Sequence, residues 1–504
     1  MIKNIKRMKN ILKNVLYLFL ATTVLYSCSK KDIGTGGPDV GGVEESTGLI
    51  LPQKELRAVW IATVWNIDWP RTTNFSDPLY EAEGQKASYR AMLDHYVSLG
   101  FNAVFVQVRS QGDAFYESPY EPWSAFLTNT RGKNPGYDVL GFLVEEAHAR
   151  GLEFHAWINP FRITTRTAAT ATFPALHPSI DPEWIVEHEK LQMYNPAIAG
   201  ARKRLADVAK DIITKYDVDG LHMDDYFYPD PTSVGALTSD QELYEQLGSG
   251  FATIEDWRRD NVDKTIELMY ETVVANRPEI VFSVSPAPNR DYNRNVLYAD
   301  VVKWCKEGWV DLLIPQLYQE IGNASNDFHF NLAIWSQYAY KAKLAVGYAM
   351  YKFGNSAEIN ATSPFHSTQE LVRQFNMVDK YRKVEGSVMY NATAVYSNRI
   401  GITDQLAELY NHKAIMPFMG REIVAPTETP INLAVAGNKL SWSAVPGDDV
   451  RYAIYHFTDL KKKGKLVDVV TSTELPVEEV GYYSVTSLNA DNLESDPSDT
   501  VEKR

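Results

Sequence analysis

The stretch DGLHMDDYFYP (219–229) opens as a short apolar run and ends in a cluster of polar residues. It follows a segment with helical periodicity, ARKRLADVAKDIITKY (201–216). The same theme recurs on both sides. The runs are RAVWIATV (57–64), NAVFVQVR (102–109), LEFHAWINP (152–160), IVFSVSPAP (280–288), VDLLIPQLY (310–318), KLAVGYAM (343–350) and GSVMYNAT (386–393). Helical patterns such as SYRAMLDHYVSLG (88–100) and YDVLGFLVEEAHARG (137–151) separate them. Strands alternating with helices indicate a parallel sheet. Eight such units predict an α/β chain with a closed (β/α)8 TIM barrel over residues 54–420. The competing architecture, an open doubly wound sheet, is disfavoured because no glycine-rich phosphate turn follows the first strand.

In a barrel of this kind, chemistry belongs at the carboxyl ends of the strands. Polar residues collect there. Asp68 and Trp69 follow the first strand, and Arg109 ends the second with Asp113 just beyond. The third carries His155, Trp157 and Asn159, followed by Arg162. The fourth carries His222, Asp224, Asp225 and Tyr226, and the sixth Gln316, Tyr318 and Glu320. Side chains two apart share a strand face. Gln107 and Arg109 therefore lie on one alternation, as do His155, Trp157 and Asn159; His222, Asp224 and Tyr226; and Gln316, Tyr318 and Glu320.

Paired carboxylates suit cleavage of a glycosidic bond, one protonating the leaving oxygen while the other attacks carbon or activates water. Asp224 is the expected nucleophile or base, with Glu320 or Asp113 as proton donor. Asp225 is the next candidate, although alternation points it away from Asp224 unless the strand has already ended. Asp68, Trp69, Arg109, His155, Asn159, Arg162, His222, Tyr226, Gln316 and Tyr318 are expected to bind substrate. Each has a structural alternative: the acids as helix caps or partners of Arg109 and Arg162, the histidines as hydrogen-bonded barrel residues, Trp69 as core. The sequence lacks an HExxH motif or a close His pair, so no metal site is expected, and no other cofactor. It also lacks a G-x-S-x-G elbow for a serine nucleophile.

The N-terminus reads as an address. A basic start, an apolar run at 15–25 and Leu25-Tyr26-Ser27-Cys28 match a lipoprotein signal peptide (1–27) with lipidation at Cys28. The Gly-rich polar stretch after it predicts a flexible tether (28–53). The expected location is the bacterial cell envelope, anchored to a membrane through that lipid, with the outer membrane favoured. The net charge of −14 includes five basic residues ahead of Cys28, so the exported chain is more acidic still. Such a balance argues against a nucleic-acid partner, which needs a basic stripe. The two cysteines, Cys28 and Cys305, exclude a disulfide framework, and Cys305 reads as a buried helical thiol.

ELRAVWIATVWNIDWP, NAVFVQVRSQGDAFYES, FHAWINPFR, GLHMDDYFYP and IPQLY, in that order, resemble the glycosyl hydrolase-like 10 family from about Glu55 to about Leu409. The resemblance implies an exported barrel related to the α-amylase and α-galactosidase clan. In that clan the strand-four aspartate is the nucleophile, a place that Asp224 matches. It also implies a carbohydrate substrate, with peptidoglycan glycan strands as the cell-wall example. The clan's proton donor often follows strand five, where this chain has SPAPNRDYN and only Asp291. Residues 427–504, with short alternating strands and turns at Gly437-Asn438 and Pro446-Gly447, resemble a fibronectin type III sandwich of immunoglobulin-like form. The expected protein is a lipid-anchored glycoside hydrolase. The alternatives are a non-catalytic glycan-binding lipoprotein and a hydrolase of dietary or host polysaccharide.

Overall fold

The structure is a computed structural model that describes residues 48–166, 170–421 and 428–504. The expected signal peptide, Cys28 and the tether up to residue 47 lie outside the described residues.

Eight parallel strands close into a barrel: β1 (Leu56–Ile61), β2 (Ala103–Arg109), β3 (Glu153–Ile158), β4 (Gly220–Met223), β5 (Val281–Val284), β6 (Leu312–Leu313), β7 (Lys343–Ala349) and β8 (Val384–Tyr390), with β8 pairing back onto β1. Each strand is followed by a main helix: α1 (Ala82–Ser98), α2 (Val139–His148), α3 (Ala199–Lys215), α4 (Ile254–Asn276), α5 (Val301–Glu307), α6 (Phe328–Tyr338), α7 (Gln369–Val378) and α8 (Ile402–Leu409). In α3, Ala201, Leu205, Val208 and Ile212 recur at helical spacing and are buried against the barrel. Side-chain caps from Asp138 and Thr253 start α2 and α4. Cys305 is a free thiol buried in α5.

Alternate residues of each strand divide between two cores. Val59, Val104, Phe154, Leu221 and Phe282 face the helices. Trp60, Phe105, Trp157, Leu312 and Val388 fill the barrel interior. Register aligns Gln107 with Trp157, Trp157 with His222, and His222 with Ser283, so neighbouring strands present these residues at one level.

Two strands are shorter than the sequence suggests. β4 stops at Met223 and a tight turn follows, with the Phe227 amide donating to the Asp225 carbonyl. Asp224, Asp225 and Tyr226 therefore project from the loop above β4 rather than from its faces. β6 has two residues, so Gln316, Tyr318 and Glu320 likewise lie beyond it.

A long excursion between β3 and α3 forms a small antiparallel sheet from Arg162–Thr165, Leu191–Tyr194 and Ile185–His188. It walls one side of the mouth. The opposite end of the barrel is closed from within by Met416 and Met419, which join the interior core.

Two antiparallel sheets follow. Strands β9 (Ala434–Ala436), β10 (Lys439–Ser441) and β13 (Glu474–Pro476) make one. Strands β11 (Arg451–Phe457), β12 (Lys465–Val470), β14 (Gly481–Leu488) and β15 (Val501–Lys503) make the other. Leu440 and Trp442 from the first side share a core with Tyr452, Ile454, Tyr483 and Val485 from the second. The far face of the four-stranded sheet packs on Ile415, Leu49 and Leu51. Lys54 and Lys413 reach Asn492 and Asp468, each at 2.6 Å. Arg451 shares a gap with Glu153 at the amino end of β3, so this unit sits at the closed end of the barrel, away from the mouth.

A carboxylate pair at the open end of the barrel

Asp224 is buried at 3% exposure just above β4. Its Oδ2 accepts from the Trp157 indole at 3.1 Å and from Asn159 Nδ2 at 2.6 Å, while the Tyr226 amide donates to Oδ1 at 3.4 Å. Trp157 faces the barrel interior from β3 and Asn159 follows that strand, so both donors reach Asp224 from the neighbouring strand. Asp225 is half-buried, lies near Gln316, whose Nε2 donates to the Ser285 carbonyl at 3.0 Å, and lines the cavity beside the mouth. Arg162 sits over the ring of Tyr226, 4.4 Å from its centroid, and its charge acts on both aspartates.

Burial raises the pKa of both carboxyls, Asp225's charge raises that of Asp224 further, and Arg162 opposes the shift. Two carboxyls that interact this closely release their protons in two steps that belong to the pair. The pair can therefore present one acid and one base together, as glycosidic cleavage requires.

The cavity holds about 300 Å³. The excursion supplies Phe161, Arg162, Leu191 and Met193, and the loop after β4 supplies Asp225 through Asp230. Apolar walls with a few convergent polar groups are the usual makeup of a small-molecule site. Tyr226, 52% exposed, offers a flat ring at the opening. Tyr318 stacks on Tyr390, centroids 5.7 Å apart at 17°, and Tyr351 meets both edge-on. Tyr351 and Tyr390 were not singled out from the sequence, although both lie at or past carboxyl ends of strands.

Beneath the pair, His222 Nε2 accepts a hydrogen bond from the Trp60 indole at 3.1 Å. Indole is a donor only, so Nδ1 carries the imidazole proton and donates to Ser283 Oγ at 2.8 Å. Burial, then the nearby His155, holds the His222 pKa well below its ordinary value. His222 is a floor residue held between Trp60, Ser283 and Ser285.

Several residues expected to touch substrate are placed elsewhere. Trp69 is fully buried against Tyr89 and Phe115, and its indole donates to the Gln85 carbonyl. Arg109 is fully buried and bidentate on Glu121, also buried, a partner the sequence reading missed. Its Nη1 holds the Asn159 carbonyl. An interior cation needs such a partner, and this one lies on the excursion between β2 and α2. His155 sits deep, stacked on Phe105 at 4.3 Å and bonded to Glu153 at the closed end. Asp68 ties the ends of β1 and β8, accepting from the amides of Ala62 and Thr393 at 2.8 Å each, and burial raises its pKa to about 6.

The two expected proton donors also point away from the cavity. Asp113 is buried, turned back on the Gln111 amide and on Ser124, near Arg131. Glu320 accepts from Asn323 at 3.0 Å, close to Lys352. Asp291, beyond β5, pairs with Arg290 on the surface. Among the described residues, Asp225 and Asp230 are the carboxylates that line the cavity; Asp224, buried next to Asp225 in the chain, does not itself line it.

Residues 55–365 match the glycosyl hydrolase-like 10 family. The chain belongs to that family. It is accordingly a glycoside hydrolase, with carbohydrate as its substrate. It is 38% identical over 389 residues to glycosyl hydrolase YngK of Bacillus subtilis, covering 73% of this chain and 74% of the relative. It is 30% identical over 364 residues to glycosyl hydrolase DigH of Escherichia coli K12, covering 66% and 82%. Among solved structures, the PgaB (BpsB) glycoside hydrolase domain from Bordetella bronchiseptica is similar at a TM-score of 0.47 and 11% identity, covering 70% of this chain and 98% of that one.

Proposed function

We propose that this glycoside hydrolase is exported, lipid-anchored through Cys28, and cleaves O-glycosidic bonds in amino-sugar polysaccharide such as the glycan strands of peptidoglycan. Asp224 and Asp225 divide the work of acid and of base or nucleophile. The observation that carries this is the carboxylate pair itself, one carboxyl clamped by Trp157 and Asn159 and the other facing the cavity. Asn159, Arg162, Tyr226, Gln316 and Tyr318 surround it as substrate or positioning contacts. The envelope location and the glycan follow from the lipobox-like Leu25–Cys28 and from the family resemblance. The C-terminal unit is read as a fibronectin type III-like spacer. In its support, the Tyr483 hydroxyl donates to the Glu479 carbonyl at 2.7 Å, four residues upstream, as a tyrosine corner does.

A second reading, a glycan-binding lipoprotein without catalysis, is favoured by the absence of a cavity-facing acid after β5 among the described residues. One experiment separates the two. Purified protein and Asp224→Asn are incubated with stripped peptidoglycan strands and with a panel of polysaccharides, and reducing ends are counted. Cleavage of stripped strands that Asp224→Asn abolishes supports the proposal. Cleavage of another glycan alone moves the substrate, cleavage that survives the substitution removes Asp224 from the mechanism, and binding without cleavage supports the second reading.

A further inference from the structure

Four neighbouring strands are joined at the open end by side-chain hydrogen bonds in series. Gln107, on β2, accepts at Oε1 from the amides of Thr63 and Val64 just past β1, at 3.0 and 2.9 Å. With Oε1 fixed as the acceptor, Nε2 must donate, and it does so to Asn159 Oδ1 at 2.5 Å. Asn159 in turn has only its Nδ2 left to offer, and that donates to Asp224 Oδ2 at 2.6 Å. The direction of every bond is set at the β1 end, because backbone amides can only donate. Gln107, Asn159 and Asp224 are all buried, so solvent does not compete for these bonds.

We propose that Gln107 is a positioning residue that acts on Asp224 through Asn159. By forbidding the flipped amide of Asn159, it keeps a donor rather than an acceptor against the carboxylate. An amide oxygen in that place would repel the anion and raise its pKa. Gln107 has this role in turnover only if Asp224 is the working carboxyl, as proposed above.

The test is Gln107→Glu. The introduced side chain fits the same space and still accepts from the Thr63 and Val64 amides, but when ionised it cannot donate to Asn159. The amide of Asn159 then turns, and its oxygen meets Asp224. The expected result is a fall in kcat of about 10- to 100-fold at neutral pH with KM little changed. The pH limb governed by Asp224 moves upward by about one unit. An equal loss at every pH, or no loss, overturns the proposal, as does an unmoved limb in Gln107→Met, which removes the donor to Asn159 without adding a charge.

If Gln107→Glu does not fold, Gln107→Met carries the same reading, because it removes the donor that fixes the Asn159 amide and adds no charge beside Asp224. An unchanged limb there overturns it equally. Asp224→Asn run in parallel separates the two levels. Activity that survives Asp224→Asn removes the catalytic assignment of Asp224. Activity lost in Asp224→Asn, with an unmoved limb in Gln107→Glu, removes the role of Gln107 alone.

Discussion

Nε1 of Trp157 stands 3.1 Å from Oδ2 of Asp224, with both side chains buried. The indole donates to the carboxylate and favours its ionised form. Trp157→Phe keeps a large ring and removes only the donor. The pKa of Asp224 should rise, moving the corresponding limb of the pH–rate profile upward, and kcat should fall about tenfold. Initial rates from about pH 4 to 9 measure both. An unchanged profile would show that the indole is packing and no more.

The raised carboxyls tie stability to pH. Both Asp224 and Asp225 have folded pKa values above the ordinary 3.8, through burial first and, for Asp224, the charge of Asp225 next. The folded state therefore holds these protons more tightly than the unfolded chain. That contribution is complete below about pH 4 and is lost as pH climbs through the raised values. Asp224→Asn removes the titrating group while its oxygen still accepts from Trp157 and Asn159. It should melt about 2 °C above the parent at about pH 8 and no higher near pH 4. Melting curves at the two pH values decide it, and a pH-independent difference would contradict the linkage.

Arg109 and Glu121 form an ion pair with both side chains at 0% exposure. Removing one partner strands the other in the interior. Arg109→Met should cost about 3–5 kcal/mol in urea denaturation, and the double change Arg109→Met/Glu121→Met should recover most of it. Equal losses in the single and the double variant would mean that the guanidinium's grip on the Asn159 carbonyl, not the ion pair, is what matters.

Glu320 bonds to Asn323 and does not line the cavity. Glu320→Gln should leave kcat/KM within about twofold of the parent. A loss of about a hundredfold or more would restore Glu320 as proton donor and would require the loop after β6 to swing inward on binding substrate.

Much of this site was legible in the sequence. Inward alternation holds for His155 and Trp157, and the carboxyl end of β4 does bear the acid pair. The same alternation says nothing of depth. His155 and Trp157 share a face, yet one touches Glu153 at the closed end and the other touches Asp224. Nor does it reveal where a strand stops. The end of β4 at Met223 is what lets two consecutive aspartates both reach the mouth instead of pointing to opposite faces.

Period-2 runs alternating with helical segments are local and repeat eight times, so the sequence by itself determined the barrel. Partners are not local. Arg109 meets Glu121 from an excursion, Asp68 meets Thr393 across the closure of β1 and β8, and Gln107 reaches Asp224 by way of Asn159. Which polar side chain meets another and which meets substrate depends on how the strands are staggered and where the loops return. Those distances exist only once the ring has closed, and so the tertiary structure alone decided which polar residues are locked to protein partners and which lie at the cavity.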